Sequence, residues 1–590
     1  MNYKFLHDRV QQAAYSLIPQ QERSRVHYQI GQLLIQQISP AAIEEQIFSV
    51  VNQLNYGIAL IEDQTERSDL AQLNLTACRK ARAATAYQAA REYAAIGLNL
   101  LGESAWQRQY EMTLNLHEIA AEVASLCGEF DQMDRWIDTV IHHTRTPLER
   151  VSVYIVKIQA LSSQNKFLEA IAIGLLSLKE LGVELPDRPT SEDIQQAVQE
   201  INSSIGDRPI EDLFDLPAMV NPQKLATMQV AASMVSACYL IGSSLFALVT
   251  ALQVNLSIQY GNSRSSAYSY SCYGIFLNSF LQDVTVADRF GRLAYRLASG
   301  ADAKNIRSET FSVIGLCLYH RKSHLRDTVP IIQAGYQAGL ETGNLEFVGY
   351  GGQAFCINAY WCGQPLAELE PQIRAYRQQL LDLNQLTTAN YCSVFWEATL
   401  FLLGNPNNLE ISFEEEGYEE KLVSQSFASN DFYRLCIFYL YRATLRFLLG
   451  DIAGAAADVD RARQYIAGSV GTTSEAGLYF YDSLIALATP EFEAELETQW
   501  QRVEENQRKL QHWAQHAPMN YLHKWQLVEA EKYRVARQRA EAIEMYDRAI
   551  SGAKENEYIQ EEALANELAA KFYLDWGKEK VAQAYMQEAY

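Results

Sequence analysis

The sequence is short of positive charge. Against 71 Asp and Glu stand only 49 Lys and Arg in 590 residues, a formal net charge of −22. That deficit argues against a general nucleic-acid binder, because phosphate contacts need clustered basic side chains. Proline is also scarce, 14 residues that fall mostly between periodic segments, and no sustained period-two alternation occurs. A sheet protein is thereby disfavoured. The nine cysteines, scattered from Cys78 to Cys436, include no CxxC pair and none with a distinguishing local context. They read as reduced, mostly buried thiols rather than as a disulfide framework. The opening "MNYKFLHDRVQQ" has no apolar run after a basic start, so no signal peptide is expected and the cytoplasm is the default.

Charge is missing altogether between Lys224 and Arg264. Within that window "AASMVSACYLIGSSLFALVTAL" (231–252) has the length of a bilayer span. Its serines and threonine, and the lack of strong basic flanks, favour a helix that is apolar all round because it lies inside a large protein. The expectation is one buried helix at 231–252. The alternative is a membrane-attached sensor.

What the sequence does have is helical periodicity, rich in Ala, Leu, Gln and Glu. The clearest repeat is C-terminal. Ala530, Tyr533, Ala542, Tyr546 and Ala549 align with Ala570, Tyr573, Ala582, Met586 and Ala589 at a constant offset of forty residues. Small residues let paired helices approach, and the large ones fill the gap between them, the spacing of a tetratricopeptide (TPR) unit. The polar turns would be "RQRAEA" and "DWGKEK". Weaker copies read the same way at 74–102, at 116–141 with a turn at Gly128, at 153–182 with a turn at 163–166, and at 439–466 with a "GD" turn. One such pair cannot cover its own apolar face, so neighbours must stack. The proline-bearing stretches 181–196 and 205–224 mark a break, and "NPNNLEISFEEEGYEEK" (405–421) reads as a solvated acidic loop.

Chemical motifs are few. "HHTRTPL" (142–148) looks like a phosphoacceptor histidine box, but His142 is followed by His143 rather than an acid, and no glycine-rich ATP box follows. The preferred reading is a linker after a helix, with Pro147 near the start of the next. No GxxxxGK[ST], no kinase HRD or DFG set and no GxSxG elbow occurs. His512 and His516 would share a helical face, with His523 as a third metal ligand, yet surface histidines are the expected outcome. His320 and His324 have the same spacing, but Arg321 and Lys322 beside them disfavour a cation. The tyrosine-rich "YGNSRSSAYSYSCYGIFL" (260–277) suits either a concave binding face or core packing, and core packing is preferred. No catalytic, cofactor-binding or metal-binding residue is assigned.

The opening "FLHDRVQQAAYSLIPQQERSRVHYQIGQLL" carries His7, Asp8, Arg9, Ala13, Ala14, Tyr15, Arg23 and His27. It resembles the segment that closes the nucleotide-binding module of AAA/STAND signalling ATPases. Stretches such as "GVELPDRPTSEDI", "IEDLFDLPAM", "GLETGNLEFVGYG" and "HAPMNYLHKWQLVEAE" are similar to the long helical region of large cyanobacterial multidomain signalling kinases. The resemblance implies a neighbourhood of serine/threonine kinase, ATPase, GAF and histidine kinase domains. No ATP, magnesium or phosphotransfer motif of that family has a counterpart here, so the chain is expected to be a fragment or a split gene product.

These readings predict an all-α, superhelical array of antiparallel helix pairs, a TPR-like α-solenoid. Four segments are expected: 1–70 as closing helices of an NTPase module, 71–185 as N-terminal repeats, 186–425 as irregular central repeats, and 426–590 as C-terminal repeats. The expected role is a non-catalytic signal-transduction scaffold without cofactors. Its partners would be protein domains or peptides, such as kinase, NTPase and sensor modules, and neither nucleic acid nor membrane. The alternative is part of an ATP-dependent protein kinase that is active only with missing domains.

Overall fold

A computed structural model describes residues 15–102, 104–300, 303–404, 417–489 and 496–590. Among these residues the secondary structure is helical, and the one extended pairing is an isolated bridge between Ala218 and Asn262. The chain divides into two compact units, Met1–Ala160 and Leu161–Tyr590.

In the first unit the main helices are α1 (Gln20–Gln37), α2 (Ile47–Tyr56), α3 (Gln64–Ala83), α4 (Tyr87–Leu101), α5 (Tyr110–Leu126), α6 (Phe130–His143) and most of α7 (Pro147–Ser163). Consecutive helices pack side by side. Leu54, Leu70, Leu75, Leu100 and Leu116 join in one core. The Asp63 carboxylate caps α3 by accepting from the Glu66 amide at 2.9 Å.

The second unit holds α8 (Phe167–Glu180), α9 (Ser191–Ile205), α10 (Pro222–Leu240), α11 (Leu245–Tyr260), α12 (Ser266–Ser279), α13 (Val284–Ala298) and α14 (Lys304–Val313). It continues with α15 (Thr328–Thr342), α16 (Leu345–Trp361), α17 (Leu366–Asp382), α18 (Leu386–Leu402), α19 (Tyr418–Ser429), α20 (Phe432–Leu448) and α21 (Ile452–Gln464). The last helices are α22 (Thr473–Ala488), α23 (Leu496–His516), α24 (Pro518–Val535), α25 (Arg539–Glu555), α26 (Ile559–Asp575) and α27 (Glu579–Ala589). Adjacent helices again pair, which makes each unit an all-α helical-repeat array.

One turn recurs through both units. The first helix of a pair ends, a residue takes positive φ, and the next amide reaches back five positions. Ala86 N–H donates to Ala81 O, Glu129 to Ala124 O, Gln538 to Tyr533 O and Lys578 to Tyr573 O, at 2.8–2.9 Å. The left-handed residues are Thr85, Gly128, Arg537 and Gly577. The geometry satisfies carbonyls that a helix end would otherwise leave bare. The forty-residue offset seen in the sequence relates Arg537 to Gly577, so the C-terminal repeat is periodic in its turns as well as its side chains.

Two expectations need correction. Residues 231–252 are not one helix. They are the end of α10 and the start of α11, separated at Gly242, whose φ is +63°. Ser243 N–H closes the turn onto Cys238 O at 2.9 Å. A Cβ on Gly242 would meet Ala467 Cβ at 3.0 Å, so the turn also seats against the segment before α22. Among the described residues no helix is long and apolar enough to cross a membrane. The acidic stretch lies outside the described residues up to 416. From Tyr418 it is helical rather than a loop, because Arg442 and Arg461 draw Glu419 into α19.

Candidate functional site

The sequence-selected histidines lie in unlike settings. His142 is exposed in the last turn of α6, its Nδ1 2.7 Å from the Asp138 carbonyl. His143 stacks on Trp106 at 4.6 Å between ring centres. Pro147 opens α7. His512 and His516 are half-buried rather than surface residues, with ring centres 5.1 Å apart, and burial lowers the basicity of both. His523 is fully enclosed and faces Glu561 instead of joining them. Of the residues that carry the N-terminal resemblance, His7, Asp8, Arg9, Ala13 and Ala14 lie outside the described residues. Tyr15 and His27 are hydrogen-bonded at 3.0 Å, and Arg23 sits 4.7 Å over the Tyr15 ring.

His320, by contrast, is at the centre of a buried polar cluster that sequence reading did not anticipate. After α14 the chain widens into a π-turn (Ile314–Leu318) and tightens into a 3₁₀ turn (Tyr319–Arg321). This segment binds helices far along the chain. The Gly471 carbonyl can only accept, so His320 Nε2–H donates to it at 3.0 Å and Nδ1 accepts from the Tyr521 hydroxyl. Burial holds the imidazole well below its usual pKa, with Arg321 adding to the effect, so the ring is neutral. Arg321 is not the free cation its neighbourhood suggested. It pairs with Glu475 at 3.1 Å and lies 3.8 Å from the centre of the Trp513 ring.

Asn520 ties the same segment to α24. Its amide donates to His320 O at 2.6 Å and Ser323 O at 2.8 Å. Its carbonyl accepts from Leu325 N at 3.0 Å and from the Tyr558 hydroxyl at 2.7 Å. Beneath it Lys524 Nζ donates to Glu561 at 2.7 Å and to Asn520 O at 3.0 Å. Burial lowers the Lys524 pKa. Burial pushes Glu561 up, but Lys524 and His523 outweigh it and hold the carboxyl below its usual range. Burial and Lys524 together lower His523. His324 Nε2 donates to Asn556 O at 2.9 Å, and Gln560 to Trp361 O at 3.1 Å. Helices about two hundred residues apart are thus fastened together, and the second unit closes on itself.

Next to this closure lies a cavity in which about 70 Å³ is open to the centre of a water molecule. One water needs only ~10–15 Å³ on that measure, so the space suits a small organic group. Tyr239, Tyr268, Leu316, Cys317, Phe347 and Tyr350 are among its walls, and the lining is almost wholly apolar. The tyrosines of the "YSYSCYG" stretch are core residues: Tyr268, Tyr270 and Tyr273 are all buried on α12. Among the described residues no group of three or more His, Cys, Asp or Glu could hold a metal.

The fold and these two features describe a helical-repeat array with a buried polar closure and an apolar cavity. No family model matches the chain. It is similar to the hybrid signal transduction histidine kinase G of Dictyostelium discoideum, 23% identical over 425 residues of alignment. That match covers 64% of this chain and 12% of the relative, so the chain spans about an eighth of the relative's length.

Proposed function

We propose that this chain is a non-catalytic signal-transduction module, a TPR-like helical-repeat scaffold that couples kinase, NTPase and sensor domains in a larger assembly. The carrying observation is the pairing of an all-helical array with a distant relative whose name is that of a signalling histidine kinase. Stacked helix pairs suit the role because their packing has discrete alternatives, and a partner that prefers one arrangement shifts the population toward it. The four-segment organisation belongs to the same proposal, with residues 1–70 beside an NTPase module and residues 71–185, 186–425 and 426–590 as successive repeat segments. The test is calorimetric titration of the purified chain with recombinant kinase, NTPase and GAF domains at physiological salt. Affinity in the micromolar range, about −8 kcal/mol, is expected for at least one of them. Failure of all of them to bind overturns the reading.

The relative's name favours a second reading, in which the chain is part of an ATP-dependent protein kinase and works only with domains beyond it. Incubation with ATP and magnesium separates the two. Phosphoryl transfer by the purified chain alone would reject the scaffold.

A further inference from the structure

The cavity beside the closure is walled by segments far apart in the chain. Val235 and Tyr239 come from α10, Tyr268 from α12, Leu316 from the π-turn, Phe347 from α16, and Thr472 from the segment before α22. None of the lining side chains is a carboxylate, an ammonium, a guanidinium or an imidazole. Most of the lining hydroxyls are engaged within the protein. Tyr239 donates to Val470 O at 2.6 Å, Ser312 to Ser308 O at 2.7 Å and Thr472 to Ser469 O at 2.7 Å. The Gln353 amide donates to the Tyr433 hydroxyl. What faces the space is ring and aliphatic surface, and an apolar cavity of this kind holds no ordered water. The cavity and the closure also share one short segment. Val470 O receives the Tyr239 hydroxyl, Gly471 O receives His320 Nε2–H, and Thr472 forms wall. Cys317, which lines the space, stands three residues before His320. A molecule in the cavity therefore touches both segments that the closure fastens.

We propose that this cavity binds a small neutral apolar molecule of single-ring size, and that its occupancy stabilises the closure. A ring that enters leaves water and gives up no hydrogen bond. A charged ligand would shed its water and meet no opposite charge on the wall. The wall is assembled from segments that the closure holds together, so the ligand binds the closed unit and not the opened one. Mass action then favours the closed form. The inference stands apart from the scaffold reading, since it requires neither a kinase nor a partner domain.

The test uses the whole chain and three probes of similar shape: toluene, benzylammonium and benzoate. Binding is followed by ligand-observed NMR and calorimetry. Toluene is expected to bind saturably, at least about a hundredfold more tightly than either ion. Val235→Phe, which fills the cavity from α10, should abolish that binding. At about ten times its Kd, toluene should slow amide exchange in 314–328 by about tenfold and leave the first unit unchanged. In a crystal held under xenon, the gas should sit against Tyr268, Leu316 and Phe347, which locates the site on the unaltered chain even where the variant fails to fold. No binding of toluene, equal affinity for the ions, toluene binding that survives in folded Val235→Phe, or xenon found only elsewhere would each overturn the site. Bound toluene that leaves exchange in 314–328 unchanged would overturn its link to the closure.

Discussion

Helices α25 and α12 belong to the same unit and obey opposite rules. In α25 only Ala542, Tyr546, Ala549 and Ala553 are buried among 17 residues, a single stripe against the neighbouring pair. In α12 all but one of 14 residues are buried, serines and tyrosines included. The difference lies in what surrounds each helix. α25 has solvent on one side, so its sequence must alternate between wet and dry faces. α12 is enclosed by α11, α13, α14 and the π-turn, so periodicity has nothing to report. Segments from farther along the chain complete the enclosure, since Phe347 packs edge-on against Tyr268 and Gly471 lies against Ile275 and Ser279, and the His320–Asn520–Glu561 cluster fastens the π-turn in the same region. The closure makes the middle of the unit a core, and leaves its C-terminal end an ordinary stack of pairs.

If that contrast is right, damage to the closure should exceed damage to a repeat. Arg321→Met leaves Glu475 buried without its partner and should cost about 3–5 kcal/mol. Adding Glu475→Met should return most of the loss, because the pair's own desolvation cost disappears with it. Hydrogen exchange should show protection lost first in 314–328 and 518–524. Equal loss throughout both units would break the contrast. Asn520→Ala strips two carbonyls, one amide and one hydroxyl of their partner at once. At about 1–3 kcal/mol for each group left bare, offset by water that enters, a loss of about 3 kcal/mol is expected from urea titration.

Protonation gives a gentler probe. His320 and His523 have folded values below the ordinary one. As pH falls below the ordinary histidine value, the unfolded chain takes up protons that the folded chain refuses. The closure should therefore weaken by up to about 1.4 kcal/mol per pH unit for each histidine until the folded value is reached. Glu309 and Glu346 act in the other direction. Their folded values are raised to about 8 and about 7 from 4.5, so their contribution is complete below pH 4.5 and is lost as pH rises toward 8. Urea unfolding from pH 5 to 8 should show the acid limb flattened in His523→Gln and the alkaline limb flattened in Glu309→Gln/Glu346→Gln. A pH profile unchanged in either set would show that these groups are not where stability is linked to protons.

How much of this was legible follows from the same physics. The all-α class, the C-terminal repeat and the turns at Gly128 and Gly450 could be read directly, since wet-faced helices and left-handed glycines leave a local signature. The boundary at Gly242 was missed because the apolar residues of α10 and α11 continue on both sides of a short turn, so the run reads as one span. The closure was missed because His320, Arg321, Asn520 and Glu561 are individually ordinary, and only a superhelix that returns on itself brings them within hydrogen-bonding distance. The turns at Thr85 and Glu557 were partly concealed because a non-glycine residue takes the left-handed position, whereas the turn at Arg537, equally without glycine, was legible in its polar "RQRAEA".

That last group yields the smallest expected effect and a direct check on the repeat half of the contrast. Arg537 has φ +60° between α24 and α25, where its twin forty residues on, Gly577, has φ +74°. A side chain in this region costs roughly 1–2 kcal/mol, from which the greater unfolded-state freedom of glycine subtracts up to about 1 kcal/mol. Arg537→Gly should thus stabilise the C-terminal pair by about 0.5–1 kcal/mol. Slower amide exchange confined to α24–α25, with the segment 314–328 unchanged, is the expected pattern. Slower exchange that spread into that segment would mean that the pair and the closure open as one cooperative unit, and that the two halves differ in burial but not in stability.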